Sequence, residues 1–166
     1  MWEAVPQVGC SCSPSGPMLK VRCQTISTLD EKGRLALPSA LRHACEAARI
    51  SALVLTPRQG AIWGWDPDTF ESRVEEPLRR ADPFAQDVES FTHAYLAPAQ
   101  DVDIDGQGRI RIPPLLRDFA RLEKEVVVNS LLDRIEIWDR ATWEDHFRRS
   151  VERARTLPGM PGVGGS

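Results

Sequence analysis

The chain has 166 residues, 42% of them hydrophobic and 27% charged, with 13 Pro and 11 Gly. That mix belongs to a globular chain and excludes collagen, a coiled-coil rod and wholesale disorder; no apolar run approaches the roughly 20 residues that span a bilayer. The 21 Lys and Arg against 24 Asp and Glu give a net charge of −3, which excludes a uniformly basic coat but not a local basic face, because binding responds to the local field.

Residues 1–17, MWEAVPQVGCSCSPSGP, lack periodicity and read as a disordered leader, with Met18 as an alternative start. Cys10, Cys12, Cys23 and Cys45 show no Cys-x-x-Cys spacing, two sulfurs make only half a zinc site, and the start does not read as a signal peptide. Reduced thiols in the cytoplasm are expected.

Patterned sequence begins with a strand from Val21 to Leu29, followed by a tight turn with Asp30 at its first and Gly33 at its fourth position, which is type I chemistry. A second strand, Arg34-Leu35-Ala36-Leu37, alternates with period two until Pro38 stops it and opens a helix whose inner face carries Leu41 and Cys45. Strands over 52–56 and 61–65 follow. Asp66 then reads as the cap of a helix with Phe70, Val74 and Leu78 in one stripe. Phe84, Val88, Phe91 and Tyr95 predict a connecting helix over 84–96.

After the connector the unit recurs, roughly 75 residues on. Asp105-Gly106-Gln107-Gly108-Arg109-Ile110-Arg111-Ile112-Pro113 repeats the first turn and strand, and Leu116 and Ala120 repeat the helix face. Strands over 125–129 and 134–138 lead to Asp139 as a cap, and Trp143, Phe147 and Val151 form the second stripe. The chain is therefore two copies of one small unit.

The basic residues near the turns are Lys32, Arg34, Arg42, Arg109, Arg111 and Arg117. One reading puts some of them on DNA, where Arg reads guanine by a bidentate contact and Lys or Arg holds phosphate. The other pairs Arg34 with Asp30 and Arg109 with Asp105, four residues apart, to lock the turns; the two are compatible. Lys32 sits at a turn tip, and Arg111 is expected to face outward, opposite to Ile110 and Ile112. Asp101-Val102-Asp103-Ile104-Asp105-Gly106 imitates the start of an EF-hand loop, but its twelfth position is Ile112 rather than Glu. A solvated acidic strand face, or a balance for Arg109 and Arg111, is the better reading. His43, His93 and His146 have no metal-ligand spacing, and the Trp residues suit packing better than base stacking. No nucleophile setting or phosphate loop is present, so no enzyme activity, cofactor, metal or small-molecule ligand is expected.

The duplicated Asp-x-x-Gly-Arg-x-x-x-Pro-x-x-Leu-Arg signature, with LDEKGRLALPSALR (29–42), DGQGRIRIPPLLRDFARLEKEVVV (105–128) and IEIWDRATWE (135–144), resembles the MraZ family of bacterial transcriptional regulators, encoded at the head of the division and cell-wall gene cluster. The similarity covers roughly residues 18 to 153. It implies a mainly β, α+β fold: two tandem swapped-hairpin SpoVT-AbrB units packed as an intrachain pseudo-dimer with peripheral helices. The expected organisation is a leader (1–17), a first unit (24–68), a helical connector (69–98), a second unit (99–142), a closing helix (143–155) and a flexible tail (156–166). The resemblance also implies a cytoplasmic, nucleoid-associated homo-oligomeric ring that binds short direct repeats in double-stranded DNA upstream of its own operon. The resemblance favours a DNA role for the two Asp-x-x-x-Arg turns; with the residue reading above, DNA contact is expected at Lys32, Arg34, Arg109 and Arg111, and turn structure at Asp30, Gly33, Asp105 and Gly108. An antitoxin-like interaction module on the same fold is the alternative.

Overall fold

The computed structural model describes residues 21–131 and 133–157. The leader 1–17 and nearly all of the expected tail lie outside the described residues. Among the described residues eight strands form two antiparallel sheets: β1 (Cys23–Thr28), β2 (Arg34–Ala36), β3 (Ala52–Arg58), β4 (Ala61–Trp65), β5 (Gln100–Asp103), β6 (Arg109–Arg111), β7 (Glu125–Ser130) and β8 (Ile135–Asp139). The large sheet has the order β1-β7-β8-β4-β3-β5, and β2 and β6 make a separate two-stranded ribbon.

The two halves interleave. The first strand of each half pairs with the third strand of the other, β1 with β7 and β5 with β3. The ribbon joins one strand from each half, with Arg34 opposite Arg111, Leu35 opposite Ile110 and Ala36 opposite Arg109. At the centre of the large sheet β4 pairs with β8, Trp63 opposite Glu136. These pairings give the chain an internal pseudo-twofold axis through the ribbon and the sheet centre.

Period-two alternation assigns the faces of the large sheet. Leu53, Leu55, Ile62, Val126, Val128, Ile135 and Ile137 point to one side and pack with Leu35, Leu37, Ile110 and Ile112 of the ribbon layer. Two short helices, α1 (Ser39–Ala47) and α4 (Pro114–Ala120), close that core with Leu41, Cys45, Leu116 and Ala120. On the opposite face, Val54 and Trp65 pack with Phe70, while Ala61, Val127 and Trp138 pack with Trp63 and Trp143. The molecule is thus a ribbon layer, a sheet and an outer helical layer.

The outer layer begins with α2, which covers 67–80 and widens into a π-helical segment over Glu71–Glu75. The cause is Pro77, which has no N–H to give to the carbonyl one α-turn back; Glu76 N–H instead reaches Glu71 O. The connecting helix α3 covers 86–96. It starts at Gln86 rather than at residue 84, and Phe84 is 93% exposed outside it. The closing helix α5 (Arg140–Thr156) begins earlier than the expected 143. Both Asp66 and Asp139 cap helices: the Thr69 amide donates to Asp66, and those of Ala141 and Thr142 donate to Asp139.

The expected stripe of the closing helix is corrected at Phe147, which is 54% exposed. Trp143 and Val151 on either side of it along the stripe are half-buried. His146 takes the inner place and stacks on Trp138, ring centroids 4.4 Å apart.

Candidate nucleic-acid interface

Each half reaches the ribbon through the same turn. In the first, Asp30 Oδ1 accepts from the amides of Lys32 (2.9 Å) and Arg34 (2.8 Å), and Oδ2 from Arg34 Nε (2.6 Å). In the second, Asp105 Oδ1 accepts from the amides of Gln107 and Arg109, and Oδ2 from Arg109 Nε, all at 2.9 Å. Gly33 and Gly108 close the turns at φ +75 and +71, donating to the carbonyls of Asp30 and Asp105. An L side chain is strained at such a φ, which explains the glycines. Each carboxyl is held below the ordinary carboxylate range, first by the amide N–H of the arginine four residues on, with its guanidinium adding to the effect. Both Asp–Arg pairs anticipated from the spacing are therefore present.

The pairs use only one edge of each guanidinium. Nε is taken by the aspartate, and among the described residues the two terminal nitrogens of Arg34 and Arg109 make no hydrogen bond. Those nitrogens are fork donors suited to a paired acceptor edge. Along the ribbon, Leu35 and Ile110 are buried, while Arg34, Ala36, Arg109 and Arg111 lie on the opposite side, with Ala36 and Arg111 exposed and Arg34 and Arg109 half-buried. Lys32 is exposed at its turn tip. Among the described residues, neither Lys32 nor Arg111 has an ion-pair partner within 4.0 Å. The structure thus gathers Lys32, Arg34, Arg109 and Arg111 onto one surface.

Two further arginines belong to this site. A Cβ added at Gly33 would meet the Arg117 guanidinium at 2.9 Å, and one at Gly108 would collide with the Arg42 side chain. Each helix arginine lies over the turn of the opposite half. The sequence shows both as the repeated Leu-Arg of the signature, but their crossing to the other turn follows from interleaving, which no spacing encodes. The halves are also tied by backbone: Leu37 donates to Gly108 O at 2.9 Å and Ile112 to Gly33 O at 2.8 Å.

The acidic run is a strand face, as the sequence suggested. Asp101 and Asp103 are exposed on β5 around buried Val102, and Asp105 is engaged by its own turn. Among the described residues no three His, Cys, Asp or Glu side chains gather as a metal site, and no helix is long and apolar enough to cross a membrane.

Comparison with known proteins decides the family. The model of the MraZ protein family, described as antitoxin-like, matches residues 24–92 and again 95–157, and so finds both halves. The chain belongs to the MraZ family. A relative from Syntrophobacter fumaroxidans (strain DSM 10017 / MPOB), the transcriptional regulator MraZ, is 32% identical over 127 residues, covering 76% of this chain and 84% of the relative. MraZ is a family of transcriptional regulators rather than enzymes.

Proposed function

We propose that this MraZ-family chain binds double-stranded DNA through the β2–β6 ribbon and its two flanking turns. The observation that carries the reading is the outward row of Arg34, Arg109 and Arg111, with Asp30 and Asp105 aiming two of the three guanidinium forks. A two-stranded ribbon fits the major groove, where a bidentate arginine reads guanine O6 and N7. Lys32 supplies a phosphate contact that positions without reading sequence. Asp30, Gly33, Asp105 and Gly108 hold the turn geometry.

The cross-pairing of β1 with β7 and β5 with β3 supports two swapped-hairpin SpoVT-AbrB units, 24–68 and 99–142, packed as a pseudo-dimer. Four side-chain cations bind a duplex weakly, since phosphate neutralisation supplies much of the affinity. A homo-oligomeric ring that repeats the same ribbon on short direct repeats raises the affinity by avidity. Exposed Phe147 beside half-buried Trp143 on the closing helix supports association between copies. The setting is the cytoplasm and nucleoid, and the target is DNA upstream of the chain's own operon in the division and cell-wall cluster.

The experiment is a gel shift with the duplex from upstream of the chain's own gene, beside a scrambled duplex, with sedimentation of the protein alone. Selective retardation by an oligomer is expected. Equal or absent binding, or a monomer at micromolar concentration, contradicts the reading. The antitoxin-like description of the family favours a second reading, an interaction module with a protein partner; it predicts tight binding of that partner and no selective shift.

A further inference from the structure

The pseudo-twofold axis would make the two ends of the ribbon equal, but two positions break the equality in the same direction. Lys32 of the first turn corresponds to Gln107 of the second, and Ala36 corresponds to Arg111. Because β2 and β6 run antiparallel, Arg111 stands opposite Arg34, not beside its own turn. The hydrogen bond from Ile112 to Gly33 O fixes Arg111 at the first turn. Lys32, Arg34 and Arg111 therefore share one end, and Arg117 lies over Gly33 there too. The other end has Gln107, Ala36 and Arg109, with Arg42 over Gly108.

The approaches add to the difference. The strand entering the second turn exposes Asp101 and Asp103, where the strand entering the first has Ile26 and Thr28. At the first end Glu31 stands where the second turn has Gly106, and Glu125, ion-paired with Arg140, lies across from Thr28 where Ala52 lies across from Asp103. The Arg34–Arg111 pairing also sets like charges directly across two strands, which weakens strand pairing. Among the described residues Arg111 has no anionic partner to offset this. A polyanion laid on the ribbon supplies one.

Resting on the DNA reading above, we infer that Arg111, from the second half, works with Lys32 and Arg34 of the first as a single DNA-contacting end. The chain then lies on its site in one preferred orientation despite its internal symmetry. Arg111 is thus a DNA-contacting residue of the first turn, not of its own.

The test moves the cation without changing the net charge. Arg111→Ala, Ala36→Arg and the double variant are compared with wild type by anisotropy titration on the upstream duplex across a salt series. Circular dichroism and thermal melts check folding, and Arg111→Gln carries the comparison if the alanine variant does not fold. Arg111→Ala is expected to bind roughly tenfold more weakly and to flatten the slope of log K against log salt by about 0.9. The double variant should keep most of that loss although its net charge is that of wild type. The melting temperature of Arg111→Ala alone should not fall, since the opposed Arg34–Arg111 charges are gone, whereas Ala36→Arg sets a like charge opposite Arg109 instead. A double variant that binds as wild type, or an unaffected Arg111→Ala, overturns the inference while leaving the DNA reading intact. A wild type that binds neither this duplex nor a scrambled one overturns the DNA reading and this inference with it.

Discussion

Asp30 and Asp105 each accept from two backbone amides and one guanidinium, so the charge of each carboxylate is built into its turn. Their folded-state pKa values lie below the ordinary 3.8. A lowered carboxylate contributes its full stability above the unfolded value and loses it as pH falls through the folded one. Wild type should therefore lose stability between about pH 5 and the lowered native values. An Asp30→Asn, Asp105→Asn variant, less stable at pH 7, should lose less over that interval; urea titrations at each pH measure the difference. Gly108→Ala combines positive φ with collision against Arg42, and should cost about 2 kcal/mol by urea unfolding. Cys45 illustrates a reactive group made inert. Burial, reinforced by Asp66 and Glu46, pushes its thiol up to about 11, so an alkylating reagent at neutral pH should modify it only on unfolding.

Ribbon and caps are the elements whose residues speak most directly in the sequence. The alternation of Arg34-Leu35-Ala36 and Arg109-Ile110-Arg111 already separates an apolar side from a basic one, and the structure buries Leu35 and Ile110 completely or nearly so. Ile110→Ala should destabilise by about 3 kcal/mol, because the two sheets and α4 leave its site little room to collapse. Asp139→Ala should cost about 1 kcal/mol by removing the cap of α5. Helix faces were less readable. Phe84 shares the spacing of Val88 and Phe91 yet lies beyond the start of α3, since periodicity gives a face but no start without a cap. Phe147 is exposed although Trp143 and Val151 of the same stripe are half-buried, and His146 takes the place against Trp138. In α2 the same spacing keeps Phe70 and Val74 against one cluster, where the π-helical segment before Pro77 widens the turn, and leaves Leu78 half-buried beyond it.

At the scale of the molecule, the repeat announces two units, but the exchange of strands between them is a non-local choice that sequence spacing does not carry. It has a mechanical consequence: neither half owns a complete sheet. Unfolding should be a single transition by fluorescence and circular dichroism alike, and residues 21–98 alone should form a dimer or stay unfolded, never a folded monomer, which sedimentation decides. Exchange also places Arg42 and Arg117 on each other's turns, so the basic surface exists only when both halves are folded together. The central claim is that this shared ribbon is what touches DNA. It is tested most directly by the affinity of an Arg34→Ala, Arg109→Ala variant, shown by circular dichroism to be folded, for the duplex upstream of its own gene. Loss of two base contacts at about 1–3 kcal/mol each should bring its affinity down to that for a scrambled duplex. A folded variant that still prefers the upstream duplex as strongly as wild type would contradict the account.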